Sequence, residues 1–350
     1  MTPFSLDGDV RSASEVGPPP PEAIDAWGTF DTGRLVVARP ARDNSLRNGF
    51  DGGAFIAAVE AALDRRSTAY DFVVLINTDG LPVQFPGAAA FHLDYSTDGV
   101  EGTGLSPFEN LRVPIQAALW MNALSYWDDW GDDATDWVFA QELGHQWLAF
   151  AEYADGDERS DALLGRQSAH WSYFVDTPNS PMEGNAWIDN GDGTFTTDVE
   201  AEPAFAPVDL YMMGFIEADE VPPLHYILTD DPERDAGSSP EHLFADAPVT
   251  IAGTRVEVSL DAVIESEGIR TPGPGESQRD FRVLPVLVVG PEELVDDGAL
   301  ALAEARFAQF QAAWARYAGE WSTLDFTIGD DGRTLPDAPA APSLVPRSAW

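Results

Sequence analysis

The chain contains no cysteine, and reading its 350 residues through finds no lysine, so all 19 basic residues are arginine. Without thiols there is no disulfide framework, no thiolate zinc site and no cysteine nucleophile. No apolar run reaches the roughly 20 residues that a membrane-spanning helix needs. Positive charge is also scarce: 60 acidic residues give a formal net charge of −41. Such a surface repels nucleic acid and anionic membranes, because contacts to phosphate need Lys and Arg. The acidic excess reads as a solvated shell, of the kind a high-salt habitat or a GC-rich genome produces. Some of its carboxylates are candidate Ca²⁺ ligands, since that ion takes oxygen donors.

What is present points to a globular protein. Apolar residues make up 44% of the chain, with 11 Trp and 19 Phe, enough to bury a substantial core. Residues 1–24, with a Pro18–Pro21 run, read as a flexible lead-in that lacks the basic-then-apolar pattern of a signal peptide. Residues 331–350 read as a flexible tail whose LVPRSAW end resembles a thrombin site and tag linker. Together these suggest a mature fragment, secreted or extracellular, around one domain at 25–330 with sub-halves at about 25–155 and 156–330.

The first half alternates strand and helix patterns. Arg34–Arg39 reads as a strand, Gly53–Arg66 as a helix, Asp71–Thr78 as a strand buried on both faces, and Ala89–Tyr95 as a sheet edge. A Gly-rich loop at 99–106 and a segment at Ile115–Leu124 follow. In the second half, Trp187–Thr197 carries Asn-Gly and Asp-Gly turns and reads as a hairpin. Its Asp-rich turn is the alternative Ca²⁺ loop, although the first-position carboxylate of that pattern falls on Ile188. Val249–Val258 and Phe281–Val289 read as strands, and Ala299–Trp321 as an amphipathic helix. The fold class expected is α+β: a mixed sheet packed on helices, with a looser mixed C-terminal half.

Chemistry concentrates in 136–150, DWVFAQELGHQWLAF. On a helix, Gln141, Glu142 and His145 share an arc of about 100°, and the rest of the circumference is apolar. Burying Glu and His on such a rod costs several kcal/mol (~2–5) unless they are paired or metal-bound. QELGH differs by one letter from HExxH, in which two His at i and i+4 hold one zinc and the Glu between them is the general base.

On Glu142, Leu143, Gly144 and His145 the segment resembles the zincin-type zinc metallopeptidase helix. The order of a buried strand, an edge-like strand and then the motif helix is similar to that of zincin catalytic domains. GRQSAHWSYF at 165–174, SPMEGNAWIDNGDGTFTT at 180–197 and PVDLYMMG at 207–214 resemble blocks of uncharacterised bacterial proteins with an intact HELGH helix. Leu210–Gly214 is similar to the methionine turn of metzincins, but Ala151 breaks their compact third-ligand spacing.

The resemblance implies a zincin-like sheet on a buried motif helix, a Zn²⁺ cofactor, and a peptide or protein substrate hydrolysed by metal-activated water. It implies Glu142 as general base and Tyr173 or Tyr211 as oxyanion donor. The implied ligands are His145 with Gln141 as a weak partner, and a third from His170, then Glu183, then Asp209. Glu152, about 10 Å along the same helix, is too far away. Gln offers zinc only a neutral carbonyl oxygen, so metal binding is expected to be weakened. Other readings are a zincin-fold pseudoenzyme that binds peptides without cutting them, an introduced inactivating change at position 141, and a structural acidic surface domain.

Overall fold

The computed structural model describes residues 11–12, 27–40, 52–64, 66, 69–78, 90–107, 113–231, 233–244 and 247–329. The expectations for the lead-in and the tail therefore lie almost wholly outside the described residues.

Its centre is an eight-stranded mixed sheet. Strands β1 (Arg11–Ser12), β2 (Trp27–Asp31), β3 (Val36–Pro40), β4 (Phe72–Asn77), β5 (Phe91–Asp94) and β6 (Ala117–Ala123) come from the first half of the chain. The order across the sheet is β1-β5-β6-β4-β16-β3-β2, with β17 also on β16. Strands β16 (Asp280–Val288) and β17 (Thr323–Asp325) come from the far end of the chain. β16 runs parallel to both β4 and β3, while β5 is antiparallel to β6 and pairs on its other side, parallel, with the two residues of β1.

Alternation along the strands builds two cores. Val73, Leu75, Leu284 and Val286 face helix α1 (Gly52–Leu63), where Phe55, Ile56 and Val59 meet them. Phe72, Val74, Ile76, Val283 and Leu287 face the opposite way, toward α2 (Asp132–Gly144) and the later 22-residue helix at Asp297–Ala318. Every residue of β4 is buried, as a β-branched run covered on both faces requires.

Beyond α2 the chain forms smaller sheets. Strands β7 (Tyr153–Asp155) and β8 (Glu158–Ser160) pair as a hairpin. Strands β9 (Trp171–Asp176) and β10 (Glu183–Asn185) join β13 (Leu224–Leu228) and β15 (Thr254–Val258) in the order β10-β9-β13-β15. The expected hairpin is present as β11 (Trp187–Asp189) and β12 (Thr194–Thr197), with Trp187 opposite Thr197 and β14 (Thr250–Ala252) alongside. In its turn Asp189 accepts the Gly191 amide at 2.8 Å and Asp192 the Thr194 amide at 3.0 Å. The short helices α3 (Pro207–Met212), α4 (Glu241–Phe244) and α5 (Leu260–Glu267) precede the long helix, here α6. Among the described residues no helix is long and apolar enough to cross a membrane.

Three expectations need correction. The motif helix does not run to Phe150: it ends at Gly144, and the next turn tightens to i→i+3 bonds (Gln146 to Leu143, Trp147 to Gly144) before Ala149 donates to Ala169. Glu152 is consequently not on the helix; it accepts Arg159 Nε at 2.7 Å near the β7–β8 hairpin. Val249–Val258 is two strands in two sheets, parted at Gly253, where a Cβ would lie 2.5 Å from Ile227 Cγ2 and 2.8 Å from the Leu228 carbonyl oxygen. The long helix begins earlier than expected because Asp296 caps it, accepting the Ala299 amide at 2.8 Å.

Gly144 is a packing requirement. A Cβ there would sit 2.6 Å from the sulfur of Met182, which is wholly buried beneath the helix. Helix propensity favours Ala by roughly 1 kcal/mol, and overpacking opposes it by about 1–3 kcal/mol. Gly144→Ala is expected to lower the urea midpoint; an unchanged or higher midpoint would show that Met182 repacks freely.

Candidate functional site

The structure brings five of the expected residues together in one buried cluster. Gln141 and Glu142 come from the last turn of α2, His145 from its C-cap, His170 from the turn before β9, and Glu183 from the start of β10. All five are 0–2% exposed. The His145 and His170 rings meet edge to face with centroids 4.8 Å apart. The turn that delivers these groups is conformationally demanding. Among the described residues, Asn122, Gln167, Ser168, Asn179 and Glu183 are the non-glycines with left-handed backbone, and the last four bracket this site.

Hydrogen bonds fix the tautomers. His145 Nδ1–H donates to the Leu148 carbonyl at 3.0 Å, in the turn after the helix, and leaves the Nε2 lone pair with no protein partner. His170 Nδ1–H donates to the Arg166 carbonyl at 2.9 Å, and its Nε2 accepts from Arg166 Nη2 at 3.2 Å. Burial, joined by the charges of nearby His92 and Arg166, holds His145 down at about 3, and burial beside Arg166 holds His170 well below its usual range. Both are neutral imidazoles.

Arg166 is the member that the sequence reading missed. The same Nη2 that meets His170 also forms a very short ion pair with Glu183 Oε1. Gln141 Nε2 donates to the Pro181 carbonyl at 3.1 Å and toward Glu183 Oε1 at 3.4 Å. Burial raises the Glu183 carboxyl, while Arg166 and Gln141 pull the other way. Its Oε2 has no protein partner.

His92 and Asp94 were missed as well, although period-2 alternation in FHLDY places both on one face of β5. His92 Nδ1 lies 2.6 Å from the Glu142 carbonyl oxygen, and Nε2 lies 2.8 Å from Asp94 Oδ1. Acceptors at both nitrogens favour the protonated form of His92. Burial works against that charge, but Asp94 and Glu142 outweigh it and raise the group. Burial in turn pushes the Glu142 carboxyl up to about 7, with His92 and Arg166 only partly opposing it. Glu142 Oε2 has no protein partner. A carboxyl that changes protonation near neutrality is suited to moving a proton.

The remaining candidates stand elsewhere. The Tyr173 hydroxyl donates to Glu241 Oε1 at 2.7 Å, and the Tyr211 hydroxyl accepts the Arg270 amide at 3.0 Å. Asp209 holds the loops together: Oδ1 accepts Trp171 Nε1 at 2.6 Å, while Oδ2 accepts Ser180 Oγ at 2.6 Å and the Ala206 amide at 2.7 Å. Met212 and Met213 are core residues whose carbonyls bind the Arg270 guanidinium.

The residues present do not fit a zinc ion in this arrangement. His170 and Glu183 both give a lone pair to one guanidinium nitrogen, and Gln141 presents its amide N–H groups rather than a donor oxygen. Among the described residues no three His or carboxylate side chains are grouped to hold a metal.

No protein-family model, curated protein or solved structure matches the chain.

Proposed function

We propose that this is a zincin-type protein that has lost zinc-dependent hydrolysis and acts by binding a peptide or protein. The observation that carries the reading is the engagement of Glu183 by both Arg166 and Gln141. A buried carboxylate already paired with a cationic side chain has no charge deficit for a dication to repair. The QELGH spelling, the burial of Glu142 and His145 on an apolar rod, and the placement of β5 beside the motif helix support the zincin-type part of the reading.

A second reading, a working metallopeptidase with Glu142 as base, is favoured by the Glu142 carboxyl at about 7 and by the open lone pair of His145. Casein hydrolysis by the parent chain and by Glu142→Ala, with and without chelator, separates the two. The proposed function predicts no hydrolysis in any arm, together with saturable binding of a fluorescent casein peptide. Chelator-sensitive hydrolysis that disappears in Glu142→Ala would establish the second reading instead.

A further inference from the structure

We propose that Arg166 masks a latent divalent-metal site made of His145, His170 and Glu183, and that the guanidinium and a metal ion exclude one another there. The proposal rests on the zincin-type reading above. Two acceptors bonded to one nitrogen have lone pairs converging on one point. Arg166 Nη2 is that nitrogen for His170 Nε2 and Glu183 Oε1. An ion taking both as ligands would lie inside the volume of the guanidinium, so size and like charge both forbid double occupancy.

The other prospective ligands lie nearby, with the His145 and His170 ring centroids 4.8 Å apart. His145 Nε2 has no protein partner, and its ring is locked by the Leu148 carbonyl. The His170 tautomer is locked by the backbone carbonyl of Arg166, which survives replacement of the Arg166 side chain. Outer carbonyls that orient ligating imidazoles in this way are the usual support of a metal site. Gln141, held by the Pro181 carbonyl, donates toward Glu183 Oε1. His170 stands 3.2 Å from Nη2, whereas zinc–nitrogen bonds are about 2.0–2.1 Å. Exchange therefore requires the ligands to close in by about 1 Å, which explains why the same residues form no metal-sized group while Arg166 is present. Two imidazoles and a carboxylate select borderline ions such as Zn²⁺ and Co²⁺.

The test titrates Co²⁺, read by its visible absorption, and Zn²⁺ into the full chain and into Arg166→Met. The parent is expected to bind neither. Arg166→Met is expected to gain about a hundredfold or more in affinity, and adding His170→Ala should abolish the gain. A folded Arg166→Met with no gain overturns the proposal. If Arg166→Met folds poorly, recovery of its far-UV dichroism on adding zinc supports the site, and no recovery counts against it. The parent gives an independent check: millimolar zinc should leave the ring ¹⁵N resonances of His145 and His170 unmoved, and a stoichiometric shift overturns the proposal. Metal bound by the parent without hydrolysis defeats the latent site alone. Metal-free hydrolysis by the parent defeats the proposed function alone.

Discussion

Arg166→Ala is expected to cost about 3–5 kcal/mol at pH 8, the usual loss when one partner of a buried ion pair is removed. Glu183 is fully buried, and Arg166 is its cationic partner in the cluster. The substitution leaves a carboxylate with only the Gln141 amide beside it. The pH dependence follows from the direction of the shift. Burial already raises Glu183 in the parent, and without Arg166 it rises further. The folded variant then binds a proton that the unfolded chain releases above the ordinary Glu range, so the variant loses stability as pH rises through that window. The deficit should be largest at pH 8 and shrink toward pH 4, as read from urea midpoints. Combining Arg166→Met with Glu183→Gln removes both charges and should recover most of the loss; a double variant as weak as the single would show that the pair matters through shape and not charge.

Glu142→Gln should do the opposite and stabilise the protein at alkaline pH. The Glu142 carboxyl stands at about 7 against an ordinary 4.5, and its first cause is burial. Between those values the folded state holds a proton that the unfolded chain has lost, so folding stability falls as pH rises from 4.5 to 7. Above pH 8 the accumulated penalty is about 3 kcal/mol, taking 1.36 kcal/mol per unit. Gln keeps the shape and never ionises. The variant should match the parent near pH 4 and exceed it at pH 8, and parallel stability curves would contradict the burial of a titrating Glu142. A side chain that costs this much stability is one kept for a reason other than folding.

The parts of this centre that were readable in the sequence are those governed by local spacing. Gln141, Glu142 and His145 share a helix face whatever surrounds them, and β4 announces itself by an unbroken apolar run. His170 and Glu183 were reachable through the resemblance of their sequence blocks, and both are buried beside His145 and Gln141. The end of the helix was not readable, because it depends on the tertiary bond from Ala149 to Ala169 and on the His145 ring holding the Leu148 carbonyl of the turn that follows. Arg166 was hidden for a similar reason. Its carbonyl holds His170 locally, while its guanidinium spans from His170 to Glu183, 17 residues away. A left-handed backbone at Gln167 and Ser168, in residues that do not advertise it, is what brings them together. His92 was readable in principle, as one of two polar residues on the same face of a short apolar strand, but its partner is a backbone carbonyl on α2 that no spacing reveals.

The central claim is that the cation of this centre is Arg166 and not a metal. Thermal melting of the parent chain, purified without chelator and measured with excess zinc, with EDTA and with neither, tests it most directly. An ion that binds only the folded state raises the melting temperature in proportion to the logarithm of its concentration over Kd. The account predicts three coincident transitions. A transition that rises with zinc and falls with EDTA would contradict it.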